Sequence, residues 1–286
     1  MSLTNKIDFA LVFTVKKANP NGDPLNGNRP RIDYEGYGEV SDVCLKRKLR
    51  NRLLDLGENI FVQSDDYRKD QHRSLKDRFD NTPGIKEAMK DREKLFDVVC
   101  KTWYDVRAFG QVFPFKGSKS QGTEAVSFGV RGPVTIQNAV SIEPIDVFSQ
   151  QITKSVNLET DIKDPDKKGR DTMGMKHRVE YGIYVTYGSI NCQLAEKTGF
   201  SDVDAEKLLV ALKSLFTNDD SAARPAGSMN VEQVVWWKHN CKNGQYSSAT
   251  VHESIIIEVD EITKKPKVVI KNPLEGLEPE IYSEAI

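Results

Sequence analysis

Residues 41–52, SDVCLKRKLRNR, put five basic side chains (Lys46, Arg47, Lys48, Arg50 and Arg52) within seven positions. Leu45, Leu49, Leu53 and Leu56 recur beneath them at helical spacing, which predicts an amphipathic helix with one core-facing stripe. Ser41 suits its N-cap, Asp42 brings negative charge to the first turn, and Gly57 suits its stop. Lys46, Arg47 and Arg50 fall opposite the leucines, so the basic face is expected to face solvent. The preceding loop, NPNGDPLNGNRPR at 19–31, is rich in Gly, Pro and Asn and ends in Arg29 and Arg31. The whole chain carries 41 Lys+Arg against 42 Asp+Glu, a net charge of −1. A local basic track on a neutral protein points to an anion, with a phosphate backbone the first candidate.

Upstream, Ile7, Phe9, Leu11, Phe13 and Val15 alternate with Lys6, Asp8, Thr14 and Lys16, the pattern of a half-buried strand. Downstream, residues 58–123 are highly charged, with a helix expected near 85–101 and a KGSKSQG run at 116–122. They read as an insertion that elaborates the core. Strand character returns at 124–147, and 149–176 form a second insertion whose middle, 161–171, is too polar for a core of its own. Val179, Tyr181, Ile183, Val185 and Tyr187 alternate as a strand. A well-capped helix is expected at 202–216, then strands near 231–239 and 253–259, a Lys264-Lys265-Pro266 turn, a short strand to 270 and a tail over 271–286. Without the insertions the order is strand, helix, strand, strand, helix, strand. That is an α+β, ferredoxin-like βαββαβ unit, the arrangement of RNA-recognition modules, which leave one sheet face free for RNA. The aromatic stacking motif of an ordinary module has no close match.

The chain has 286 residues, 38% hydrophobic and 29% charged, which suits a soluble globular protein with a sizeable core. No apolar run approaches the roughly 18 residues of a membrane span. The opening MSLTNKIDFALVF lacks a basic region ahead of its apolar stretch, so it reads as a strand, not a secretory signal. Cys44, Cys100, Cys192 and Cys241 are scattered and read as reduced thiols, mostly buried. The expected compartment is the cytoplasm, with no cofactor and no metal.

Three pieces together carry a family resemblance: NPNGDP…NRPR (19–31), SDVCLKRKLR (41–50), and VRGPVTIQNAVSIEP (130–144) with HRVEYGIYVTYGSIN (177–191). The chain resembles the backbone subunit of Cascade, the RNA-guided CRISPR surveillance complex, and, more narrowly, is similar to its type I-C form. The resemblance implies a hand-shaped protein. Its RNA-recognition-like palm would span 1–57, 124–148 and 177–270, with fingers at 58–123, a thumb hairpin at 149–176 and the tail at 271–286. Copies would stack head to tail along the guide RNA (crRNA), each thumb kinking it so that the remaining bases pair with target DNA. Cap and large subunits would complete the complex. The resemblance carries RNA contact onto Ser41, Lys46, Arg47, Arg50, Arg29 and Arg31, and thumb wedging onto Met173 and Met175. Sequence-blind binding fits this role, because phosphate and sugar contacts give affinity while base pairing does the reading.

Several residues allow two readings. KGSKSQG is either a flexible linker or a second backbone contact through Lys116 and Lys119, and Arg131 is either a strand-end ion pair or an RNA contact. Trp236 and Trp237 read as a strand with one ring in the core and one at an interface. His72, His177, His239 and His252 show no metal-ligand spacing and read as surface or strand-end residues. His177, beside the thumb, keeps open a metal-independent endoribonuclease that processes repeat RNA. Asp23, Asp33 and Asp42 lie near the basic segment, and the helix dipole accounts for Asp42. The non-catalytic scaffold is the preferred expectation. Reversing Lys46 and Arg50 to Glu is expected to weaken RNA binding while the fold survives.

Overall fold

The computed structural model describes residues 2–115, 126–155 and 173–283. The chain opens with β1 (Ile7–Ala18), a small ladder of β2 (Gly22–Asp23) and β3 (Arg29–Pro30), then β4 (Tyr37–Val40) and α1 (Asp42–Asp55). Four short helices follow, α2 (Leu75–Asp80), α3 (Ile85–Ala88), α4 (Arg92–Thr102) and α5 (Tyr104–Phe109), with the hairpin of β5 (Gly110–Phe115) and β6 (Val126–Arg131). Next come β7 (Val134–Ile136), β8 (Ala139–Pro144), β9 (Val147–Thr153), the long β10 (Met173–Ile190), α6 (Cys192–Thr198) and α7 (Asp202–Lys213). The last part holds β11 (Met229–Lys238), α8 (Ser248–His252), the hairpin of β12 (Ile255–Val259) and β13 (Pro266–Ile270), and β14 (Glu280–Ser283).

The main sheet runs β14-β11-β1-β10-β8-β4, with β7 and β9 also paired to β10. Its pairings are antiparallel. Counting β1, β8, β10 and β11 as first to fourth, their spatial order is fourth, first, third, second. The helices α1 and α7 lie on one face over Phe9, Leu11, Phe13 and Val15. Ser41 caps α1 by accepting from the Cys44 amide, and α7 begins with a reciprocal cap between Ser201 and Asp204. Leu45, Leu49 and Leu53 are buried as expected, but Leu54 takes the fourth core position and Leu56 at the C-cap is exposed.

β1 is not half-buried. Ala10 and Val12 lie on its second face and are fully enclosed with Trp237, Val251, Ile255, Val268 and Leu277. A layer built from α8, the β12–β13 hairpin and residues 274–277 covers this face, so the sheet over β1 is not free in the manner of an RNA-recognition module. Both tryptophans are buried, Trp236 among the residues under the helices and Trp237 beneath the second layer, because neighbours on a strand point to opposite faces. The expected tail is docked: Leu277 is buried and β14 extends the sheet along β11.

Residues 61–130 hold a second apolar cluster. Phe61 packs against Trp103 at 4.5 Å between ring centroids, and Phe113 stacks on Phe128 at 4.7 Å. The single helix expected at 85–101 is two, because Asp91 accepts from the Glu93 and Lys94 amides and starts α4 afresh. No helix among the described residues is long and apolar enough to cross a membrane.

Candidate nucleic-acid interface

The cations of α1 are largely committed inside the protein. Lys46 donates to Asp42 Oδ2 at 2.9 Å, and Arg47 Nη1 donates to the Val62 carbonyl at 2.6 Å. Lys48, almost wholly buried, pairs with Asp219, which also holds Arg224 at 3.0 Å. Arg50 Nε donates to Asp105 Oδ2 at 2.9 Å and its guanidinium lies over the Phe109 ring. Asp105 is 1% exposed and also accepts from the Phe61 and Val62 amides at 2.7 and 3.1 Å. Burial pushes the Lys48 ammonium below its ordinary pKa, against the restoring charge of Asp219, and burial with Arg50 nearby lowers Arg47. The expected solvent-facing basic stripe is therefore corrected. Residues 58–62 and α5 cover one side of α1 and residues 214–219 the other, so most of these cations meet carboxylates or carbonyls.

The loop before α1 is tied to the helix cap. Asn21 Oδ1 accepts from both the Ser41 amide and hydroxyl, at 3.0 and 2.9 Å, and the Arg31 amide donates to the Asn21 carbonyl. Arg31 reaches Asp23 at 3.4 Å, and its buried Nε has no hydrogen-bond partner among the described residues. Arg29 Nη1 donates to Ser149 Oγ at 2.9 Å, joining the loop to the antiparallel arm of β9 and β10. Arg29, Arg31 and Ser41 thus share one flank. No described contact joins Arg131, exposed at the end of β6, to them. Lys116 and Lys119 lie outside the described residues, as does the middle of the expected thumb.

On the arm, Met175 pairs with Gln151, His177 with Ser149 and Arg178 with Phe148. Paired residues share a face, so Met173, Met175 and His177 lie on one side and Phe148, Ile152, Lys176 and Arg178 on the other. Met173 is 65% and Met175 55% exposed, but Phe148 and Ile152 are also open to solvent. The sequence reading missed these two and Ser149. The period-2 pattern of VFSQQIT was the available signal.

The carboxylates near the loop are occupied by local structure. Asp23 accepts from the Leu25 amide, Asp33 from the Glu35 and Tyr37 amides, and Asp42 pairs with Lys46. His239 follows the last residue of β11, a strand-end position, but is buried there: its Nε2 lies 2.8 Å from Asp8 Oδ2, and Lys6 completes the group at 2.9 Å from the same oxygen. Burial would raise the Asp8 carboxyl, but bonds from His239 and Lys6 outweigh it and hold the group below its ordinary value. His252 is pushed down by burial, with Asp8 opposing, and His72 pairs with Asp77 at 3.1 Å.

The family model for CRISPR-associated protein Cas7 matches residues 5–272. The chain is 30% identical over 220 residues to the CRISPR-associated protein Cas7 of Haloferax volcanii, a match covering 73% of this chain and 63% of that relative's length. Among solved structures, a chain of a "CRISPR RNA-guided surveillance complex, pre-nicking" is similar at 15% identity and a TM-score of 0.49, over 81% of this chain and 78% of that one. A chain of a "CRISPR RNA-guided surveillance complex" gives 17% identity and a TM-score of 0.43, over 81% and 68%. The family match takes in the loop, the capped helix α1 and the arm together, and this chain belongs to the Cas7 family of CRISPR-associated proteins.

Proposed function

We propose that this chain is a non-catalytic scaffold for guide RNA in a Cascade-type complex. Copies assemble head to tail along the RNA, cap and large subunits complete the particle, and the guide meets target DNA by base pairing. In this reading the main sheet with α1 and α7 is a ferredoxin-like palm, residues 58–123 are the fingers and 149–176 the thumb. The strand order of β11, β1, β10 and β8 supports the palm. The type I-C subtype rests on the motif resemblance alone.

One observation carries the reading. On a charge-balanced protein whose α1 cations are mostly paired internally, the loop bearing Arg29 and Arg31 is bonded to an arm with exposed apolar side chains on both faces. Cations beside apolar groups suit a strand whose phosphates are held while its sugars and bases rest on the arm. The test is to purify the protein from cells that express a CRISPR array, sequence the bound nucleic acid and map its nuclease protection. Guide-sized RNA with accessible positions at a fixed short period is expected. Absence of RNA overturns the reading, and trimming at one repeat position by this protein alone assigns it to the processing enzymes.

A further inference from the structure

The turn at residues 33–36 is rigid and bare. The Gly36 amide donates to the Asp33 carbonyl, and Asp33 Oδ1 accepts from the Glu35 and Tyr37 amides at 2.9 and 2.8 Å. The Ile145 amide donates to the Gly36 carbonyl and pins the turn to the end of β8. Tyr34 and Glu35 hold the two central positions, and Tyr34 is fully exposed. Among the described residues no cation pairs with Glu35. A side chain presented on a fixed turn loses little freedom when it is covered.

A cavity of about 230 Å³ lies on the other side of α1 in the chain, lined in part by Asn59, Ile60, Asn81, Pro83, Thr102 and Trp103. Sites for drug-sized ligands run to about 300–1,000 Å³, so this one suits a single side chain. Ile60, Pro83 and Trp103 give it apolar walls, while the amides and Thr102 are polar. Asn81 Nδ2 is spent on the Asp77 carbonyl and carboxylate, both at 2.9 Å, which leaves Oδ1 as an acceptor. Arg78, also in the lining, is committed to Asp70 and the Phe61 carbonyl, so it is not free for a phosphate. An aromatic ring with one hydroxyl matches these walls. Arg73 and Lys101 adjoin the lining residues His72 and Thr102, and both are exposed. Among the described residues no carboxylate pairs with either.

The turn does not fill the cavity of its own chain, since Tyr34 is bare. The turn precedes α1 and Asn59 follows it, and the 14 residues of α1 span about 21 Å. We propose that the turn of one copy docks in this cavity of a second copy, with the Tyr34 ring inside and Glu35 beside Arg73 and Lys101 at the rim. The Tyr34 hydroxyl then donates to Asn81 Oδ1, and an acidic turn meets an unpaired basic rim. Each copy offers one turn and one cavity on different surfaces. Such a contact is heterologous and builds an open chain when its rotation does not close. The contact deepens the scaffold reading, rests on it and names the surfaces through which copies meet.

The experiment links copies assembled on a long unstructured single-stranded RNA. Every variant carries Cys241→Ser, which removes the exposed native thiol. Tyr34→Cys with Asn81→Cys in one chain, treated with a short bis-maleimide, is expected to give a ladder of covalent oligomers on a denaturing gel, and either substitution alone gives no ladder. In sedimentation, Tyr34→Ala is expected to raise the protein concentration for half assembly roughly 30-fold, the loss of a hot-spot side chain. Glu35→Arg and Arg73→Glu each weaken assembly, and together they restore it. A missing ladder, while wild-type copies still sediment together on the RNA, overturns the contact and leaves the scaffold reading standing. Wild type that never assembles on RNA overturns both. Tyr34→Ala that weakens binding of one copy to an RNA too short for two makes Tyr34 an RNA contact and overturns the docking.

Discussion

Arg50→Glu is expected to damage the fold before it affects any ligand. The substitution removes the donor at 2.9 Å from Asp105 and sets a second carboxylate beside one that is 1% exposed. Breaking a buried pair costs about 3–5 kcal/mol, and like-charge repulsion adds to this. Against a total stability of about 5–15 kcal/mol that is a large share, and a melting shift of roughly 10 °C follows for a domain of this size. Swapping the charges with Asp105→Arg does not rescue it, because the Phe61 and Val62 amides also need the Asp105 oxygens. Lys46→Glu is the control: its partner Asp42 is one turn away and partly exposed, so its loss costs about 0.3–0.5 kcal/mol. Urea unfolding followed by Trp fluorescence and by circular dichroism reads both variants. An Arg50→Glu midpoint within error of wild type would refute the structural role of the pair and return Arg50 to the solvent-facing set expected from the sequence.

Asp219→Ala is expected to cost about 3–5 kcal/mol in urea unfolding, and Lys48→Met less than about 1 kcal/mol, because Asp219 serves two cations and keeps Arg224 when Lys48 goes. The reverse ranking would sink this account. His252 is held below its ordinary pKa by burial, so the folded chain favours its neutral form. Its contribution is full above the unfolded value of about 6.5 and declines as pH falls from there toward the folded value. His252→Phe, which keeps a ring against Tyr187, should flatten the acid limb of the stability curve, and an unchanged limb refutes it. Met173→Ser with Met175→Ser should leave stability within about 0.5 kcal/mol, since both are exposed, yet blur the regular spacing of protected RNA. An unchanged footprint removes the wedge role from this pair.

The sequence made the long elements legible. β1, β10, β11 and the β12–β13 hairpin follow period 2, and α1 and α7 carry caps and apolar stripes. It could not show what covers each face. The alternation of β1 distinguishes two sides, but the residues that enclose Ala10 and Val12 lie more than 170 positions later, apart from the other strands of the sheet. The fate of the cations was hidden for the same reason: Lys48 meets Asp219 171 residues away, and Arg50 meets Asp105 55 away. Helices such as α2, α5 and α6, of six or seven residues, are too short to display a period. In the candidate site, local sequence marked Arg29, Arg31 and Ser41, whereas Ser149 joined them only through strand register and a long-range bond.

The covering of both sheet faces, by α1 and α7 on one and by the second layer on the other, has a consequence for what this architecture can sense. Phe9, Phe13, Tyr184, Trp236 and Trp237 are all sealed within the protein. In the proposed scaffold role a single strand finds none of these rings to stack on, and its route would run along the rim, over the loop and the arm. With both faces covered, the loop and the exposed side chains of the arm are left to hold a strand in the proposed role.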